Sequence, residues 1–186
     1  YPALEQRFRR VRALGDAEAI LHWDLATMMP KGGAPGRADQ LAVLKSLRHA
    51  QLTAADTADL LAEAGADTAL DDWQRANLRE MRRTHAHASA LPADLVEALS
   101  RATSACEAAW REAKADADFA RVLPTLRILL ARVRDSAQAK AAALDLAPYD
   151  ALLDEYEPDG RAAEIDVLFD ELAAFLPDFL QRVLEH

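Results

Sequence analysis

Between residues 3 and 26 the apolar positions fall three and four apart, at Leu4, Phe8, Val11, Leu14, Ala17, Ile20 and Leu21. That is the period of a helix with one face turned to a core. The stripe runs directly into Asp24 and predicts one or two helices, with Gly15-Asp16 as a break or a second cap. Pro30 to Gly36 holds two prolines and three glycines and predicts a loop. Beyond it, Leu41, Leu44 and Leu47 face inward on a helix over 37–50. Thr53 and Asp56 are spaced as a capping box that opens a short helix to about Ala64, with Gly65 as its stop. Asp71 and Gln74 form a second such box, opening a helix to about Ala90.

Pro92 suits a first helical position. The helix after it carries Leu95, Leu99, Ala102, Cys106, Ala109 and Ala113, whose alternating spacings describe a packed seam. Asp118 caps a further start, and Pro124 divides a short turn from a long helix bearing Ile128, Leu129, Val133 and Ala137. Pro148 opens a short helix from Tyr149 to about Tyr156, followed by a turn at Glu157-Pro158-Asp159-Gly160. The last helix shows Ile165, Leu168, Phe169, Leu172, Phe175 and Leu176, and Pro177 kinks or splits it. No stretch alternates with a strand period. The expected fold class is all-α, a multi-helix bundle-like array with short loops and no sheet, in one helical domain over residues 1–186.

Composition agrees with this picture. Ala and Leu dominate and only 6 of 186 residues are Gly, a balance that favours helix. The formal net charge of −9 and the short basic clusters, Arg7-Arg9-Arg10 and Arg82-Arg83, argue against a nucleic-acid partner. No apolar run reaches the roughly 18 residues that a bilayer span needs, so no membrane partner is expected. Cys106 is the sole cysteine and lies on an apolar stripe, which fits a buried filler in a reducing cytoplasm. The closing Leu184-Glu185-His186 reads either as the start of an expression tag or as native sequence.

The chemistry-bearing patterns are mostly missing. A catalytic zinc helix offers His-Glu-x-x-His, and no histidine here is followed by glutamate. His85 and His87 are two residues apart, about 200° around a helix, which reads as surface or cap histidines. Lys31 precedes its glycines and follows no strand, so a phosphate loop is not indicated. No serine sits on a strand-to-helix elbow. The acidic pairs Asp71-Asp72 and Glu155/Glu157 read as caps and solvated faces. No catalytic residue, metal ligand or cofactor is therefore assigned to this chain.

Three constellations stand out. The first is Trp23-Asp24 with Thr27 and Met29-Pro30, followed by Arg37; an Asp24–Arg37 pair across the loop would pin two helices together. The second is Asp71 to Asn77, a cap with Trp73 as an aromatic anchor. The third runs from Tyr149 to Pro158 and includes Tyr156 and Glu157. Trp23, Asp24, Met29, Arg37, Tyr156 and Glu157 are the candidate residues, either facing substrate or locking helix ends.

With these stretches in view, the chain resembles the N-terminal part of the carboxypeptidase Taq family of zinc metallocarboxypeptidases. The likeness runs from Trp23-Asp24 through Met29-Pro30 to Arg37, Gln40, Leu44 and His49. It resumes at Asp71 to Asn77, Leu91 to Leu95, Cys106 to Arg111, Asp118-Phe119 and Pro148 to Pro158. Ala147 stands where the family usually has histidine, and Asp159 where its Glu-Pro-Gly turn has glycine. The resemblance implies an all-helical, commonly dimeric enzyme with a deep groove. In the full-length family a zinc or other divalent metal, held by His-Glu-x-x-His and a further Glu, activates water to release C-terminal residues from peptides.

This chain matches none of the zinc motif, so the resemblance implies scaffold and groove wall, inactive alone, with a peptide substrate engaged only alongside the catalytic part. The alternative is a stand-alone, non-catalytic helical module that binds a peptide or protein. A part of a larger protein would expose apolar surface, and self-association is expected.

Overall fold

The computed structural model of the protein describes residues 1–185, with Lys31 described by its backbone alone. The tag reading of His186 and the phosphate reading of the Lys31 side chain lie outside what is described. The described residues form eight α-helices: α1 (Pro2–Thr27), α2 (Ala34–Thr53), α3 (Ala55–Ala66), α4 (Asp72–Ser89), α5 (Ala93–Ala115), α6 (Phe119–Leu144), α7 (Pro148–Leu153) and α8 (Ala162–Leu184). A 3-10 turn at Lys31–Gly33 joins the first two, and there is no strand among the described residues.

Two caps form as their spacing predicts. Asp71 accepts from the Gln74 N–H at 2.8 Å while the Gln74 side chain accepts from the Asp71 N–H at 3.0 Å. Asp118 accepts from the Arg121 N–H at 3.3 Å. The Thr53 box does not form. Its hydroxyl donates back to the His49 carbonyl at 3.0 Å, and Asp56 pairs with Arg7 of α1 instead. Tertiary attraction from a charged neighbour outcompetes the local cap.

Several helix boundaries also differ from expectation. α1 passes unbroken through Gly15-Asp16. A Cβ at Gly15 would stand 3.2 Å from the Arg48 guanidinium, so this glycine gives α2 a close approach rather than a break. Gly65 stays inside α3, where Arg82 of α4 crosses close above it and donates to the Leu61 carbonyl at 3.4 Å. α2 begins at Ala34, because Pro35 and Gly36 sit in its first turn, where a missing N–H costs nothing. Pro92 is the N-cap of α5 rather than its first residue.

Pro124 does not divide α6. Buried Val122 precedes it and the half-buried Leu126 and Leu129 follow it, all packed in one core cluster. Core packing on both sides holds the helix together across the lost backbone bond. α8 also runs through Pro177 without splitting, although it has no buried residue on either side.

α5 lies between α2 and α6, and α1 packs on the other side of α2. One core cluster joins Leu4, Leu61, Ala64, Leu70, Leu78 and Met81 from the start of α1, α3, the α3–α4 loop and α4. The other joins Cys106 and Ala113 to Val122 of α6. Ile20, Leu47 and Ile128, expected inside, are exposed. The inward face of α1 instead runs Leu4, Val11, Glu18, Leu25. α8 has no buried residue; its main contact is with the short α7, and Leu168, Leu172, Phe175, Leu176 and Phe179 remain exposed.

Candidate functional site

α1 ends with Leu25 buried, which turns Asp24 toward the start of α2. Arg37, on the second turn of α2, meets Asp24 at 2.6 Å. Its second amine nitrogen donates to the Leu21 carbonyl at 2.7 Å, and its Nε donates to Gln40 at 3.0 Å. Arg111 of α5 reaches the same helix end, donating to the Leu25 carbonyl while pairing with Glu107 at 2.6 Å. The last turn of α1 carries no basic residue of its own. Two arginines from other helices therefore supply the positive charge that a helix C-terminus favours.

The Met28 and Met29 N–H groups both donate to the Asp24 carbonyl, at 2.9 and 2.8 Å. Met29 is half-buried and covers Gly33. Trp23 points outward, 61% exposed. A concavity of about 560 Å³ opens beside this corner, lined by Leu25, Met29, Ser104, Arg111, Glu112 and Arg121 among others.

Tyr156 and Glu157 are not part of that corner. They lie beyond α7, both exposed, and neither side chain makes a hydrogen bond or ion pair among the described residues. Asp159, in the glycine position of the turn, adopts φ 64° itself, while Gly160 does not have positive φ. Aspartate tolerates this left-handed region better than most residues.

A second, buried polar cluster lies where α4, α6 and the end of α7 meet. His87 is 5% exposed and its Nε2–H donates to the Asp154 carboxylate at 2.8 Å. The other Asp154 oxygen accepts from the Asp159 N–H at 3.0 Å, and Arg83 donates to the Asp154 carbonyl at 2.7 Å. Burial alone would raise the Asp154 pKa. The bonds from His87 and the Asp159 N–H, with the nearby charges of His87 and Arg83, outweigh it and hold the carboxyl below its ordinary value.

Lys140 is buried and pairs with Glu155. His85 is half-buried, its Nδ1–H donating to the Leu52 carbonyl at 2.8 Å. His85 and His87 are thus interior groups, not the surface or cap residues that spacing suggested, while Glu155 stays exposed, as a solvated face implies, and pairs with Lys140. An adjoining cavity of about 260 Å³ is lined by α2, α4, α5, Lys140 and Glu155.

The sequence held a signal for one of these groups and for the buried Glu18 of α1: Lys140 follows the inward Ala137 by three, and Glu18 follows the buried Val11 by seven, so both fall on buried faces. Asp154 and His87 carried no comparable signal, because they are 67 residues apart and meet only through packing.

No three His, Cys, Asp or Glu side chains converge as a metal-binding group among the described residues. The described side chains do not fit a metal centre, and no metal-dependent step is derived from them. No helix among the described residues is long and apolar enough to cross a membrane.

Comparison with known proteins adds the family context. Residues 3–186 match the family described as carboxypeptidase Taq (M32) metallopeptidase. Thermostable carboxypeptidase 1 of Pyrococcus furiosus is 32% identical over 179 residues, covering 96% of this chain and 36% of that protein. Its namesake in Thermus thermophilus is 35% identical over 195 residues, covering 99% and 38%. Among solved structures, metallocarboxypeptidase 1 of Trypanosoma cruzi superposes with a TM-score of 0.81 at 34% identity, covering all of this chain and 37% of that one. The M32 carboxypeptidase of Deinococcus radiodurans gives 0.76 at 29% identity, with 99% and 37% covered. The chain thus spans 36–38% of the length of these curated relatives.

Proposed function

The chain belongs to the carboxypeptidase Taq (M32) metallopeptidase family, and from that membership we propose that it is the N-terminal helical part of a cytoplasmic metal-dependent carboxypeptidase. In this reading the full-length protein removes C-terminal residues from peptides. The chain supplies scaffold and groove wall, and the metal and the catalytic groups sit on polypeptide beyond the described residues. The carrying observation is a family match over residues 3–186 on a chain that spans little more than a third of its relatives.

Two structural features support the reading. The Arg37 and Arg111 contacts tie α1, α2 and α5 into a rigid corner, as a wall needs. The apolar face of α8 lies uncovered, as a docking surface for further polypeptide would. Alone, the chain is expected to bury that face by self-association.

The test is hydrolysis of a blocked dipeptide with a free C-terminus. The chain with added zinc should release no amino acid above buffer. Co-expression with the remainder of the reading frame should restore release at an enzyme-like rate, about 1 to 1,000 per second. Release at that rate by the chain alone would overturn the assignment of the chemistry to other residues. A native stop codon near Val183 would overturn the larger-protein reading and favour a stand-alone binding module.

A further inference from the structure

α8 buries nothing against the rest of the chain, and its sequence orders what it exposes. Ile165, Leu168, Leu172, Phe175 and Phe179 alternate spacings of three and four, which draws one apolar seam along the helix. Ile165 is half-buried and the others are exposed, Leu168 at 59% and Phe175 at 53%. Pro177 falls on the far side of the helix from the seam and does not interrupt it.

The two borders of the seam differ. Glu164, Glu171, Asp178 and Glu185 follow one another at seven-residue intervals along one border, and all are exposed. The carboxylates of Glu164, Glu171 and Asp178 make no ion pair or hydrogen bond among the described residues. Phe169, Leu176 and Val183 line the other border at the same interval. Residues bordering such a seam set which helix packs there and in which direction.

A second copy of α8 does not complement this pattern. Antiparallel pairing brings like borders together, so Glu171 of one copy would face Asp178 of the other. Parallel pairing sets the acidic border against the apolar one. Either way the carboxylates gain no countercharge, and facing like charges are destabilising. A helix with basic residues along the facing border would pair with every acid in the row.

We propose that α8 docks one amphipathic helix of the further polypeptide of the larger protein, a helix with an apolar seam and a row of Lys or Arg at the interval of the acids. The source of that helix rests on the larger-protein reading, whereas the charge row is a property of α8 alone. Apolar burial along the seam supplies the affinity, and the exposed ion pairs select partner and direction.

The experiment titrates the full chain with two labelled synthetic peptides and follows fluorescence anisotropy. Each is about four heptads long with Leu on its seam. One carries Lys on the borders of the seam and the other Glu. At low salt the Lys peptide should bind about tenfold more tightly, and in salt of about 1 M the difference should shrink below about threefold. Glu171→Lys with Asp178→Lys should reverse the preference. Asp166→Lys with Asp170→Lys makes the same change of charge on the far side of α8 and should preserve it. That pair separates the row from the general attraction of an acidic chain for a basic peptide. All four substituted residues are exposed, so the helical circular dichroism should not change. Co-expressed with the remainder of the reading frame, the chain should no longer bind the Lys peptide, because the face is covered. Equal binding of the two peptides, binding of neither, or equal loss of preference in both double variants would overturn the charge row and leave the larger-protein reading intact. Undiminished binding of the Lys peptide after co-expression would overturn the named occupant. A native stop codon near Val183 would overturn that occupant and the larger-protein reading together.

Discussion

Replacing Arg37 by Met tests the corner that joins α1 to α2. The substitution keeps the apolar stem and removes the guanidinium. In the folded protein that group is 15% exposed and meets Asp24, itself 32% exposed, at 2.6 Å. It also donates to the Leu21 carbonyl at 2.7 Å. A fully exposed pair would contribute at most about 1 kcal/mol. Removing one member of a buried pair costs about 3–5 kcal/mol. The partial exposure places Arg37 between these limits, and the helix-end bond adds to the pair, so a loss of about 2 kcal/mol is expected.

Asp24→Asn should cost less, about 1 kcal/mol, because the bond to Leu21 survives. The double variant should then lose about 1 kcal/mol less than the sum of the two singles. The assay is urea unfolding followed by circular dichroism at one fixed protein concentration, since self-association would otherwise add to apparent stability. A loss under about 0.5 kcal/mol for Arg37→Met, or strict additivity in the cycle, would refute a coupled lock.

Other outcomes follow from the buried cluster, the turns and α8. Asp154 has a folded-state pKa below its unfolded one, so its stabilisation is full above the ordinary carboxylate value and lost as pH falls through the depressed one. The stability gap between the native chain and Asp154→Asn, measured by urea melts, should be widest near neutrality and narrow below about pH 4; a gap independent of pH would contradict this. Asp159→Gly should raise stability by up to about 1 kcal/mol, because φ of 64° suits glycine and the bond to Asp154 uses only the backbone N–H; a loss larger than that would refute the strain argument. Gly65→Ala should be neutral or gain about 0.5 kcal/mol in thermal or urea melts, the added helix propensity offsetting displacement of the flexible Arg82 end. Leu168→Glu with Phe175→Glu should abolish concentration-dependent mass in light scattering while leaving the helical circular dichroism unchanged, since both residues are exposed on α8.

The parts of the site legible beforehand share a short reach along the chain. Asp24 and Arg37 lie on either side of one turn, so their residue types and spacing were enough to suggest a contact. Arg111 joins the same corner from 86 residues away, and nothing in its neighbourhood says that it caps α1. Asp56 was assigned to a local box and was drawn instead to Arg7, 49 residues distant. The candidates Tyr156 and Glu157 lie near the buried cluster in sequence, yet Asp154 and Glu155, two residues earlier, are the residues that it uses.

The sequence by itself determined the helical class, the two caps at Asp71 and Asp118, and the inward stripe along α5. These depend on helical period and on bonds spanning three or four residues, which local spacing encodes. Only the tertiary structure decided that α1 and α6 run unbroken and that His87 and Asp154 lie inside. A glycine or proline weakens a helix by a few kcal/mol at most, and core packing on both sides exceeds that. A buried charge is tolerated only when a partner is within reach, and that partner is supplied by another helix.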